Sequence, residues 1–182
     1  PTKQAIKIYL TKAGLIDVSS NWSSDSNKVD DEFAALLNVR MLNEHGDDES
    51  SFPSHQPIFI EVEFEVFARQ NRFILSLEFF NEEGTLLFVS RDGRPESMNF
   101  EWTAGRYKAR IEIPGNLMNV GIVSVSLRLT AIAPKSICAD VENAVRFSVY
   151  DVNGKDNARG IYTGQIKGAV RPKLSLNFEA IK

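Results

Sequence analysis

Three features of this 182-residue chain predict an all-β fold, an antiparallel sandwich of about eight strands. Apolar residues recur with period two through most of the sequence beyond residue 33, the pattern of side chains that alternate between a packed face and an open one. Turn-forming pairs and polar runs punctuate these stretches at short intervals. No helical periodicity of comparable length follows residue 33.

The clearest strand reads Pro57-Ile-Phe-Ile-Glu-Val-Glu-Phe-Glu-Val-Phe-Ala68, with Ile58, Ile60, Val62, Phe64 and Val66 on one parity and Glu61, Glu63 and Glu65 on the other. Before it, Leu37, Val39 and Met41 form an inward set alternating with Asn38 and Arg40, and the acidic stretch Glu44 to Ser51 joins the two. After it, Phe73, Leu75, Leu77 and Phe79 form the next inward set, and Asn81-Glu82-Glu83-Gly84 predicts a hairpin into Thr85 to Ser90. Asp92-Gly93 and Asn153-Gly154 mark further turns. Strands are expected at Tyr107 to Ile113, Ile122 to Ile132 and Val145 to Tyr150, with a last one carrying Leu174, Leu176 and Phe178. That series fits an immunoglobulin-like sandwich.

The opening differs from the rest. Ala5, Ile6, Tyr9 and Leu10 recur at helical spacing behind Thr2, a suitable N-cap, so a short helix is expected within 1–13. Ser, Asn and Asp dominate the next stretch, so 14–32 is expected to be an extended linker with Trp22 as its one anchor, and 33–182 the sandwich. The first residue is Pro1 and not Met, which suggests a piece of something longer. Asn21-Trp22-Ser23 matches a glycosylation acceptor, an accidental match where no signal-peptide pattern opens the chain.

Composition narrows the function classes. One cysteine, Cys138, cannot form an internal disulfide and reads as a small residue in or beside a strand. No apolar run approaches the roughly 20 residues that span a bilayer, so a soluble domain is expected. A formal charge of −3 without a Lys/Arg cluster argues against nucleic acid as partner, since phosphate binding needs a basic patch.

Catalytic constellations are weak. Glu61, Glu63 and Glu65 invite a glycosidase reading, because residues i and i+2 of a strand lie roughly 7 Å apart, within the range of paired catalytic carboxylates. Lys108 and Arg110 alternate outward in a strand that could pair beside them, so a charge-balanced exterior is the expected reading. His45 with Asp47, Asp48 and Glu49 offers one nitrogen ligand in an acidic loop, a poor metal site. Gly154-Lys155-Asp156 lacks the leading glycine and the hydroxyl residue of a phosphate loop, and there is no Gly-x-Ser-x-Gly elbow.

Parity builds a better candidate. Outward positions are Arg72, Ile74, Ser76, Glu78 and Phe80 in one strand, Ser124, Ser126, Arg128 and Thr130 in a second, and Arg146, Ser148 and Tyr150 in a third. If these share a sheet, as the third, sixth and seventh strands of an immunoglobulin-like sandwich do, the face mixes hydroxyls, charged groups and aromatics, which suits sugars. The candidate glycan-binding residues are therefore Ser76, Glu78, Phe80, Ser124, Ser126, Arg128, Arg146 and Tyr150.

Landmarks in series carry a family resemblance. They are Val39-Arg-Met-Leu-Asn-Glu-His-Gly46, Phe79-Phe-Asn-Glu-Glu-Gly84 with Leu86-Leu87-Phe88, Gly105-Arg-Tyr107 leading to Ile113-Pro114 and Leu117, Asp140-Val-Glu-Asn-Ala144 with Phe147-Ser-Val149, and Gly164 to Gly168 with Val170-Arg-Pro172. Over about 150 residues this order resembles the C-terminal domain of Wzt-type ATP-binding subunits of bacterial polysaccharide ABC exporters, which handle O-antigen. The opening Pro1 to Leu10 looks like the helix that ends the nucleotide-binding domain in such subunits. The resemblance implies a non-catalytic domain that recognises the finished end of a lipid-linked polysaccharide in the cytoplasm and couples it to export through the transmembrane exporter subunit. It also implies a homodimer, with a terminal strand open to exchange between protomers, and ATP and magnesium only in the nucleotide-binding domain. Leu176 and Phe178 stand where relatives often carry tryptophan. The alternatives are a protein-interaction or dimerisation sandwich that touches no sugar, and a small glycoside-acting enzyme using Glu61, Glu63 or Glu65.

Overall fold

The computed structural model describes residues 19–22, 29–67, 72–92, 100–132, 134–152, 154 and 156–180. The expected helix within 1–13 and the Asp92-Gly93 and Asn153-Gly154 turns fall wholly or partly outside these residues. Among these residues ten strands are formed: β1 Ser19–Asn21, β2 Val29–Asp30, β3 Ala34–Leu42, β4 Ser51–Pro53, β5 Ile58–Val66, β6 Phe73–Asn81, β7 Leu86–Arg91, β8 Gly105–Ile113, β9 Gly121–Ile132 and β10 Lys135–Tyr150. They make two sheets. One runs β1-β3-β5-β8, with β2 also on β3, and the other runs β4-β10-β9-β6-β7. All pairings are antiparallel except β4 on β10.

The inward parities of both sheets meet in one core. Val39, Met41, Ile60, Val62 and Phe64 from the first sheet and Leu77, Phe79, Val125, Leu127, Phe147 and Val149 from the second are all buried in it. Phe64 and Phe73 meet across the sheets with ring centroids 6.4 Å apart, and Trp102 joins them at 5.7 and 5.6 Å. Cys138 lies buried in β10, and burial pushes its thiol up to about 12. The Asn81 to Gly84 hairpin forms as expected: Asn81 Oδ1 accepts from the Glu83 and Thr85 amides at 3.1 and 2.7 Å, and Gly84 takes a φ of +75°.

Three expectations are corrected. Leu37 is not aligned with Val39 and Met41, because a bulge between Leu36 and Asn38 turns Leu36 into the core and leaves Leu37 half-buried. Part of the expected linker is sheet, since Ser19–Asn21 and Val29–Asp30 pair with β3. Trp22 packs on the core beside them, in keeping with its expected anchoring role. The final strand is not formed: no strand lies between residues 171 and 180, and Leu174, Leu176 and Phe178 are 72%, 76% and 94% exposed. A strand needs an edge to pair with, and this segment pairs with none among the described residues.

Beyond β10 the chain instead forms a wrap held by buried polar groups. Asp151 accepts from Arg159 and, through both carboxylate oxygens, from Arg171, while Asn157 Nδ2 donates to Ser54 Oγ at 3.0 Å. Arg171 and Asn157 are 7% and 3% exposed. The Arg171 guanidinium, against the opposing effect of burial, holds the Asp151 carboxyl well below the usual carboxylate range. The Arg171 amide also donates to the Leu117 carbonyl at 2.8 Å, which lays the wrap along the β8–β9 connection.

Candidate functional site

The three outward rows do share a sheet, because β6, β9 and β10 are neighbours in it. Their register sets Ser126 beside Glu78, and Ser124 between Phe80 and Arg146. An aromatic ring, a hydroxyl and a guanidinium thus lie in a row across three strands, spanning roughly 10 Å at the usual strand spacing. Six of the eight candidate residues, Glu78, Phe80, Ser124, Ser126, Arg128 and Arg146, line one groove of about 410 Å³. The other two lie apart. Ser76 is 5% exposed, flanked in the ladder by Arg128 and Arg91. Tyr150 lines a separate hollow of about 400 Å³ near the β4 edge, with His45 and His55.

A wall of the groove was missed in the sequence. Asp140, Glu142 and Asn143 of β10 line it. Between the pairs Val141–Leu127 and Val145–Val125, the residues Glu142, Asn143 and Ala144 face the single residue Ser126. Asn143 absorbs the bulge in a left-handed conformation, φ +51°, which Asn tolerates better than most residues. Its amide donates to Ser126 Oγ at 3.1 Å, leaving the hydroxyl proton of Ser126 to donate elsewhere. Behind the bulge, Ser20 Oγ donates to the Ala144 carbonyl at 2.6 Å. The facing wall is the β6–β7 turn, through Asn81, Glu82 and Gly84. The sequence signal for the missed wall was the polar pair Glu142-Asn143 interrupting an otherwise apolar alternation.

The two arginines differ. Arg128 gives Nε and Nη2 to Asp140 Oδ2 at 3.0 and 2.9 Å, which raises its pKa further. Arg146 makes no ion pair with a described residue, and its enclosed Nε has no acceptor among them. Four carboxylates, Glu78, Glu82, Asp140 and Glu142, face these two cations in the groove. Such a surface offers paired donors and acceptors for hydroxyls and no cationic excess for phosphate.

The opposite face of the sandwich carries the three glutamates. Glu61, Glu63 and Glu65 stand in register with Arg110, Lys108 and Arg106. Lys108 Nζ lies 3.1 Å from Glu61 and 3.0 Å from Glu63, and Arg40 Nη2 donates to Glu61 at 2.6 Å. Burial alone would raise the Glu61 carboxyl, but the hydrogen bonds from Arg40 and Lys108 outweigh it and hold the group below its ordinary value. A carboxylate so held is ill suited to act as a general acid. Glu61→Gln is expected to destabilise the fold by about 1–3 kcal/mol at neutral pH, since it trades the charged acceptor shared by Arg40 and Lys108 for a neutral amide. Because the folded pKa is depressed, the contribution is complete above the ordinary value of 4.5 and fades as pH falls through the folded value, so wild type and variant should converge in acid denaturation. In the His45 loop, His45 Nε2 lies 3.8 Å from Glu44 and Asn43 Oδ1 accepts from the His45 and Asp47 amides, and among the described residues no cluster of three or more His, Cys, Asp or Glu could hold a metal. No helix among them is long and apolar enough to cross a membrane.

No family model matches the sequence, and no curated protein matches it. Among solved structures, a Niemann-Pick type C2 protein from Japanese carpenter ant has a TM-score of 0.39 at 7% identity, covering 65% of this chain and 94% of its own, too low to carry an argument. A crystal structure of the C-terminal domain of Wzt is similar with a TM-score of 0.66 at 11% identity, covering 88% of this chain and 93% of that one. The fold of this chain is therefore a β-sandwich similar to that of the Wzt C-terminal domain, as the resemblance in the sequence implied.

Proposed function

We propose that this domain is a non-catalytic carbohydrate-recognition module that binds the terminus of a lipid-linked, O-antigen-type polysaccharide and couples the finished chain to ABC-transporter export. The observation that supports it most is the groove on β6, β9 and β10, where Phe80, Ser124 and Arg146 stand in register and Arg146 lacks an ion-pair partner among the described residues. Sugar C–H faces stack on an aromatic ring, and sugar hydroxyls need both donors and acceptors close by. The excess of carboxylates favours a terminus rich in hydroxyls over one that carries phosphate. In the full-length parent, ATP and magnesium would belong to the nucleotide-binding domain, and the complex would sit at the inner face of the cytoplasmic membrane against the transmembrane exporter subunit.

The exposed alternation of Leu174, Leu176 and Phe178 supports a homodimer in which this segment pairs with a second copy. A strictly monomeric mass in solution would remove that part of the reading. The same observation favours the second reading, a dimerisation sandwich that touches no sugar. Titration of the domain with polysaccharide from the strain that encodes it, with and without the terminal modification, separates the two. Tighter binding of the finished chain is expected, and absence of binding to both forms would overturn glycan recognition.

A further inference from the structure

The groove does not stop at its terminal seat. Asn81 and Glu82 of the β6–β7 turn line both the groove and a second trough of about 520 Å³. The two share a floor as well. On the outward parity of β9, Ser124, Ser126 and Arg128 underlie the groove and Ile122 underlies the trough. From Ile122 to Arg128 this row runs roughly 20 Å, longer than a single sugar ring.

The far wall of the trough is residues 165–169, fixed by backbone and side-chain bonds. Asn119 Nδ2 donates to the Ile166 and Gly168 carbonyls at 2.9 and 2.7 Å, and Met118 and Val170 form a bridge. Arg171, more than nine-tenths buried, lines the same trough and carries the wrap into it. The surface pairs a strip of Leu87 and Ile122, suited to sugar C–H faces, with Thr85, Gln165 and Lys167, suited to hydroxyls.

We propose that this trough is a second glycan subsite that takes the sugars behind the terminus, so that the domain reads a stretch of chain and not its end alone. The inference rests on the reading of the groove given above. The terminus occupies the seat over Ser124 and Ser126, and the chain leaves past Glu82 and Asn81 between the turn and residues 165–169.

Binding of the intact polysaccharide of the encoding strain, compared with that of short fragments keeping its non-reducing end, tests this. Gln165 and Lys167 are exposed, so the double variant Gln165→Ala/Lys167→Ala leaves the fold intact. It is expected to weaken binding of the intact chain about tenfold, one or two hydrogen bonds' worth, and to leave the fragments unaffected. Equal affinity of wild type for chain and fragments, or an equal loss on both in the variant, would overturn the second subsite while leaving terminal recognition in place. No binding of either ligand to wild type would overturn both.

Discussion

Asp151→Ala is expected to destabilise the domain by about 3–5 kcal/mol, the usual cost of removing one partner from a buried ion pair. The loss is large because the wrap after β10 has two guanidiniums and one carboxylate at its centre. Arg171 is 7% exposed, so without Asp151 it must stay charged in a nearly dry site or pull the chain outward with it. Chemical denaturation at neutral pH reads the effect. Replacing Asp151 and Arg171 together by apolar residues should recover part of it, because the nearly dry guanidinium is then gone and only the more exposed Arg159 is left without its carboxylate. The pH dependence has a definite sign. The folded carboxyl lies below its ordinary 3.8, so its contribution is whole above that value and is lost as pH falls through the depressed folded value. Wild type should therefore lose its advantage over Asp151→Ala only in strong acid. Equal stability of the two proteins at neutral pH would mean that the wrap is held elsewhere.

Arg146→Ala is expected to weaken glycan binding by about 10–100-fold, since a hydrogen bond to a charged group is worth roughly 1.5–3 kcal/mol. Stability should hardly change, because Arg146 has no ion pair with a described residue to lose. Arg128→Ala is the useful contrast, for it also strips Asp140 of its partner and so disturbs the groove wall, at little cost in stability because the pair is exposed. Lysine at position 146 should not restore binding, as a single ammonium cannot reproduce the planar fork of donors. Isothermal titration with the encoding strain's polysaccharide measures all three. Unchanged affinity in Arg146→Ala would remove this residue from the site.

The sequence displayed the features that depend on side-chain alternation. Ile58 to Val66 announced a half-buried strand, and Glu61, Glu63 and Glu65 were legible as a balanced face because Lys108 and Arg110 alternate in the strand that pairs with them. The three outward rows of the candidate face came from the same parity. The features that stayed hidden do not depend on alternation. Ser19–Asn21 and Val29–Asp30 are too short and polar to show a period, and they join the sheet through backbone hydrogen bonds. The Leu36/Asn38 and Val141/Val145 irregularities change the count of residues on one strand only, which no single-strand pattern records. Leu174, Leu176 and Phe178 show the converse: their alternation is real, but pairing also requires an edge, and an edge is a property of the assembled sheets.

Ser20 hooks the lead strand β1 to the carbonyl of Ala144, one peptide beyond the Asn143 that lines the groove. The bulge is thus a common pin for two parts. The three residues that shape one wall of the groove on one sheet are also where β1, a strand of the other sheet, is fastened.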